Sequence, residues 1–148
     1  QLQGHISDAP ADIKGDFIIH RADGLFAYQL AVVVDDDFQA VTQVVRGADL
    51  LDSTSRQICL QKALGLVSPD YMHLPLAISS DGKKLGKRYQ DDPVEYQQPA
   101  KTIGQALHFL GQNSPDGLSL NALWDWALEH WDRSLIPRGP AILAGKVN

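Results

Sequence analysis

The stretch QAVTQVVRGADLLDSTSRQICLQKALG, residues 39–65, sets the class of fold to expect. Its first third alternates apolar and polar positions and stops at Arg46-Gly47, the pattern of a β-strand with one buried face. The remainder changes period. Ser53 or Thr54 offers a helix N-cap, Ile58, Leu60 and Leu64 supply apolar positions, and Gly65 can adopt the left-handed backbone that ends a helix. A strand running into a helix is the first step of an α/β layer.

Working outward, DFIIHRADGLFAYQL (residues 16–30) reads as a strand, a turn at Ala22-Asp23-Gly24, and a second extended or helix-entering piece. AVVVDDD (31–37) has two readings, because its β-branched run favours a strand while its flanks could continue a helix. YMHLPLAISS (71–80) reads as a short apolar strand, with Pro75 marking an edge or a terminus. From Thr102 the texture changes. TIGQALHFLGQ and SLNALWDWALEHW both show helical spacing, with no strand candidate among them. Charged, Pro-containing RYQDDPVEYQQPAK (88–101) reads as the linker between the two regions. Strand and helix segments followed by helices alone imply an α/β layer with a helical appendage.

Composition narrows the function classes. The 148 residues are 44% hydrophobic and 21% charged, ordinary for a globular chain. A net charge of −5 argues against a general coat for nucleic acid or for an anionic membrane, so a polyanion would have to meet a local basic cluster. The lone Cys59 excludes an internal disulfide and suits a reducing compartment, so a cytoplasmic location is expected. No apolar run approaches the roughly 20 residues of a membrane span. The chain opens on Gln1 rather than Met, which is read as a segment of a longer protein.

One local basic cluster exists. SSDGKKLGKRYQ (79–90) places Lys83, Lys84, Lys87 and Arg88 around Gly82 and Gly86, behind a strand candidate. Lysines on a free backbone can grip a phosphate whose charge moves during reaction, although a solvated loop has the same composition. The GxxxxGK[ST] spacing of a P-loop is absent. Arg46, at the end of the other strand, could form a bidentate pair with a carboxylate, or simply pair with Asp49 or Asp52. Tyr28 could line a polar pocket or belong to the core. Asp35, Asp36 and Asp37 read as a helix terminus or solvated turn. The five histidines share no ligand spacing with one another or with Cys59, so no metal site is expected in this chain. Trp124, Trp126 and Trp131, with Leu123, Leu128 and Leu135, read as one helical packing face.

Residues 16–65 and HLPLAISSDGKKLGKR (73–88) together carry DG-x-x-AY, VVDD, VxRGADL and a lysine loop after LPL, in that order. In this combination the chain resembles the class I aminoacyl-tRNA synthetases of the glutamyl type. The resemblance implies the second half of a Rossmann-like catalytic domain over residues 1–92, including a KMSKS-like loop at Lys84-Leu85-Gly86-Lys87-Arg88, and a small helical subdomain over 93–148. It puts YQLAVVVDDD on a helix. It implies that Tyr28 and Arg46 hold the glutamate substrate, that Lys87 contacts ATP, and that Lys84 and Lys87 carry the catalysis of adenylate formation. ATP enters with Mg2+ as a substrate, and zinc is expected only in an N-terminal half that also carries the HIGH-type signature. Neither feature occurs in these residues, so the chain alone is expected to be inactive. The short segment after the lysine loop, about 60 residues, favours the branch that acts on queuosine in the anticodon loop of tRNA(Asp). The implied partners are glutamate, ATP and queuosine-bearing tRNA(Asp), with no membrane and a monomeric full-length protein. A truncated conventional glutamyl-tRNA synthetase and a non-catalytic nucleotide- or tRNA-binding module are the alternatives. Gly86 departs from the serine usual at that position.

Overall fold

The structure, a computed structural model, describes residues 2–3, 16–86 and 97–144. The chain separates into two compact units, Gln3–Leu74 and Pro75–Asn148.

The first unit begins not with a strand but with a tight hairpin. A single antiparallel bridge joins His20 to Phe26, closed by Arg21 N–H to Leu25 O at 2.8 Å, with Gly24 at φ +85°. The expected strand over DFIIH therefore shrinks to one bridge. Helix α1 (Tyr28–Phe38) follows. Its Val32-Val33-Val34 run is helical because Val33 becomes fully buried where α1 lies against α2. Burial against a neighbour outweighs the few tenths of a kcal/mol by which β-branched residues disfavour a helix. The acidic run ends α1, where Ala40 N–H reaches Asp37 O and Val41 N–H reaches Asp36 O.

Strand β1 (Gln43–Gly47) runs through a 3-10 turn, Ala48–Leu50, into helix α2 (Leu51–Leu64) and returns as β2 (Asp70–Leu74). β1 and β2 pair in parallel with Arg46 opposite His73. The pattern expected over residues 39–65 holds, with two changes. Neither Ser53 nor Thr54 caps α2, because the 3-10 turn moves the start to Leu50 and carries both hydroxyls into the first turn. The fully buried positions of α2 are Gln57 and Gln61, while Leu64 is exposed. Gly65 ends the helix at φ +71° as expected.

Pro75 breaks the apolar segment into β2 and β3 (Leu76–Ile78), having no N–H to give a ladder. In the second unit β3 pairs in parallel with β4 (Ala141–Leu143), a strand with no counterpart in the sequence reading. Between them lie α3 (Pro99–Phe109) and α4 (Leu120–His130). α4 is N-capped by Ser119, whose Oγ accepts from Ala122 N–H at 3.3 Å. The two helices close on Leu107, Leu123 and Ala127, with Ile103, Leu118 and Trp126 packed around them. Only part of the expected tryptophan–leucine face is therefore buried. Trp124 (47%), Leu128 (80%), Trp131 (41%) and Leu135 (48%) are exposed. Trp124 and Leu128 share a stripe turned about 100° from Leu123 and Ala127, as the helical repeat requires.

Gly111, at φ +76°, ends this helix pair against the chain beyond α4. A Cβ there would stand 2.2 Å from Leu135 O. Buried Gln112 fixes the same crossing, donating to Asp132 O and accepting from Asp132 N–H, both at 3.0 Å.

Candidate functional site

Parallel pairing of Arg46 with His73 puts both side chains on one face near the carboxyl ends of β1 and β2. α2 supplies the third wall. Arg46 donates from Nε to His73 Nε2 at 3.2 Å, and from Nη2 to Thr54 Oγ1 at 2.8 Å and to Leu50 O at 3.2 Å. Tyr71, two residues before His73 on the same face, lies under the guanidinium with its ring centroid 5.2 Å from Cζ. Thr54 completes the ring of contacts, 3.0 Å from His73 Nε2 and 3.3 Å from Leu50 O. The guanidinium is thus fixed along its Nε and Nη2 edges. Nη1 makes no hydrogen bond among the described residues, which leaves its two N–H groups for an acceptor from outside. A fixed guanidinium with a spare donor pair suits a carboxylate.

The surroundings set the electrostatics. His73 is buried, and burial followed by the Arg46 charge holds its pKa below the usual 6.5. Burial pushes the Tyr71 phenol above its usual 10.0, opposed by a hydrogen bond from Gln61 and by the Arg46 charge. Gln61 Nε2 reaches Tyr71 Oη at 2.9 Å, while its buried Oε1 has no partner among the described residues. Behind it, Gln57 donates to Gln29 Oε1 at 2.9 Å and Gln29 donates to Ser53 Oγ at 3.0 Å, tying α1 to α2 through polar side chains. Tyr28 opens α1 and is half exposed. Tyr28 and Arg46 both act electrostatically on Tyr71, which places the three in one neighbourhood, but Tyr28 shares no hydrogen bond with Arg46.

His73, Thr54 and Tyr71 escape a reading of the sequence by motif. Strand register would have found His73: aligning VVRG with YMHL as parallel strands sets it beside Arg46.

The lysine loop belongs to the second unit. After β3 the chain reverses, with Ser79 N–H donating to Lys83 O at 2.8 Å and Gly82, at φ +80°, completing the turn. Lys84 bridges back to Ile78, and Leu85 N–H donates to Ala77 O at 2.9 Å. Inside the turn Asp81 accepts from Ser79 Oγ and pairs with Lys83 at 2.6 Å. The hydrogen bond from Lys83, then that from Ser79, lowers the Asp81 pKa from 3.8 to about 2. Lys83 is therefore engaged inside the turn. Lys84 is exposed on the limb that leads outward. Lys87 and Arg88 lie outside the described residues. A Cβ at Gly86 would meet nothing within 4 Å, so the backbone there leaves room for a serine.

Among the described residues no group of three or more His, Cys, Asp or Glu side chains could hold a metal ion. No helix among them is long and apolar enough to cross a membrane. A separate groove of about 760 Å³ opens along α3 and the 114–120 segment, lined by Lys101, Gln105, His108, Ser114 and Asp116 among others. Its one lysine and one aspartate give it no clear preference for charge.

Residues 1–102 match the family described as tRNA synthetases class I (E and Q), catalytic domain. The chain belongs to this family. Among its relatives, the Glutamyl-Q tRNA(Asp) synthetase of Pseudomonas fluorescens is 53% identical over 93% of the chain, which covers 47% of that protein. That of Photorhabdus laumondii is 46% identical over 100% of the chain, covering 48% of its own length. The chain thus spans about half the length of the curated relatives it matches. A solved glutamate tRNA ligase of Elizabethkingia meningosepticum superposes on 87% of the chain, and on 30% of its own, with a TM-score of 0.63 at 22% identity. The parallel strands and helices described above are accordingly those of a class I synthetase catalytic fold.

Proposed function

We propose that this chain supplies the amino-acid and pyrophosphate-side half of a ligase that activates glutamate with ATP and transfers it to queuosine in the anticodon loop of tRNA(Asp). The observation that carries the reading is the Arg46 guanidinium, fixed on two edges with Nη1 left for a substrate carboxylate. Relatives named Glutamyl-Q tRNA(Asp) synthetase, at 46% to 53% identity, support the choice of amino acid and tRNA.

In this reading a carboxylate oxygen of glutamate bonds to the α-phosphorus of magnesium-bound ATP as the bond to pyrophosphate breaks. Glutamyl-adenylate forms, and the acyl group then passes to the queuosine base while AMP leaves. Arg46 and Tyr28 hold and orient glutamate. Lys84 and Lys87 stabilise negative charge as it builds on the departing pyrophosphate, which is electrostatic rather than covalent catalysis. The other half of the catalytic domain, with its HIGH-type signature, delivers the nucleotide, and the zinc segment of many members would also lie there.

The test is glutamate-dependent ATP–pyrophosphate exchange, run on the 148-residue chain and on a full-length form in which the half carried by its relatives precedes it. Exchange is expected only from the full-length form. Robust exchange by the chain alone would refute the division of the site.

A further inference from the structure

We infer that His73 is a positioning residue for Arg46: as a neutral Nδ1–H imidazole it accepts the Arg46 Nε–H, and its protonation releases the guanidinium from the orientation that receives the substrate carboxylate. The inference rests on the reading of Arg46 as the carboxylate partner.

The proton inventory around the guanidinium forces the tautomer. Arg46 has no acceptor atom and keeps its proton at all ordinary pH. Nε lies 3.2 Å from His73 Nε2, so this nitrogen must present its lone pair and the ring proton must sit on Nδ1. Thr54 then has a definite task. Its Oγ1 accepts from Nη2, and its single hydroxyl proton turns toward Leu50 O or shares His73 Nε2. A second proton on His73 would set N–H against N–H and put a cation beside a cation. Among the described residues no carboxylate is recorded as acting on His73. β1 contributes Arg46, α2 contributes uncharged Thr54, and β2 contributes Tyr71, whose ring lies parallel to the imidazole with centroids 6.2 Å apart. Burial and the Arg46 charge both act against protonation.

The sign of the pH effect follows. Because the folded pKa lies below 6.5, the unfolded chain takes up a proton between the two values that the folded chain refuses. Acidification through that window therefore weakens the arrangement around Arg46, and raising the pH restores it.

Two experiments test the inference. In the 148-residue chain, long-range proton–nitrogen spectra should show His73 protonated at Nδ1 alone at neutral pH; a proton on Nε2 overturns it. In the same chain His73→Leu should shift the Arg46 Nε–H resonance and speed its exchange with water about tenfold, while His73→Gln, which keeps an uncharged acceptor, should restore most of the protection. An unmoved resonance in His73→Leu also overturns it. In the full-length form, glutamate KM should rise about tenfold on acidification through the His73 pKa, with kcat changing less, and His73→Gln should flatten that profile. Identical KM–pH profiles for wild type and His73→Gln would contradict the inference. If the full-length form shows no glutamate-dependent exchange at all, the functional reading fails alone, and the spectra still decide the role of His73.

Discussion

Replacing Arg46 by lysine separates charge from geometry at the proposed carboxylate site. Lysine keeps the cation but has one nitrogen and three donors where arginine has a rigid fork of five. The structure already assigns three of those five, to His73, Thr54 and Leu50. A lysine ammonium that satisfies the same acceptors has nothing left for substrate, and one that reaches substrate abandons the acceptors behind it. A charge-assisted hydrogen bond contributes about 1.5–3 kcal/mol, and each 1.4 kcal/mol is about tenfold in affinity. Arg46→Lys in the full-length form should therefore raise glutamate KM by about 10- to 100-fold, with KM for ATP changed less than about threefold. Arg46→Ala should be at least as severe for glutamate. Its effect on folding should be smaller, because the Thr54 hydroxyl can still serve either Leu50 O or His73 Nε2 among the three acceptors that lose Arg46. Initial-rate exchange at varied glutamate is the assay. A lysine variant within about threefold of wild type in glutamate KM, against the tenfold or more expected, would show that charge alone suffices and refute the fixed-fork argument.

Three further outcomes follow from other parts of the molecule. Gly111→Ala must move the Leu135 carbonyl away from a Cβ 2.2 Å distant while holding φ +76°; at about 2–4 kcal/mol for clash and backbone strain together, the thermal midpoint should fall by about 5–15 °C, and a fall under 2 °C would remove the packing argument. The Asp81 carboxyl should titrate at about 2 and move back toward 3.8 in Lys83→Met, as followed by carbon-13 NMR; because its folded pKa is depressed, the turn it closes loosens only as pH falls from near 3.8 toward that value. Lys87→Ala in the full-length form should lower the exchange rate at saturation by about 100-fold or more with little change in glutamate KM, and an unchanged rate would cancel its role at the pyrophosphate.

How much of this could be read from the chain alone differs from one element to the next. The β1–α2 unit was legible because alternation, a change of period and a terminal glycine agree over residues 39–65. Helix α1 was not legible from propensity, since Val32-Val33-Val34 favours a strand until Val33 is buried against α2; only the likeness to a known family resolved it. β4 is three residues long, too short to alternate, and exists because β3 offers it an edge. The glutamines of α2 were passed over because an apolar template treats them as surface, yet Gln57 and Gln61 are its buried positions, paired with Gln29 and Tyr71. Arg46 stood out as a cation at a strand end. Its partners did not, because His73 and Thr54 meet it through strand register and helix placement rather than through any local motif.

The central claim is that this chain belongs to a ligase that places glutamate on queuosine rather than on the 3′ end of a tRNA. The most direct measurement is transfer of labelled glutamate by the full-length form to tRNA(Asp), compared with and without queuosine, and with the 3′ terminus trimmed. The account predicts label on queuosine-bearing tRNA whether or not the 3′ end is intact, and none on tRNA lacking queuosine. Label that requires the 3′ end and ignores queuosine would contradict it.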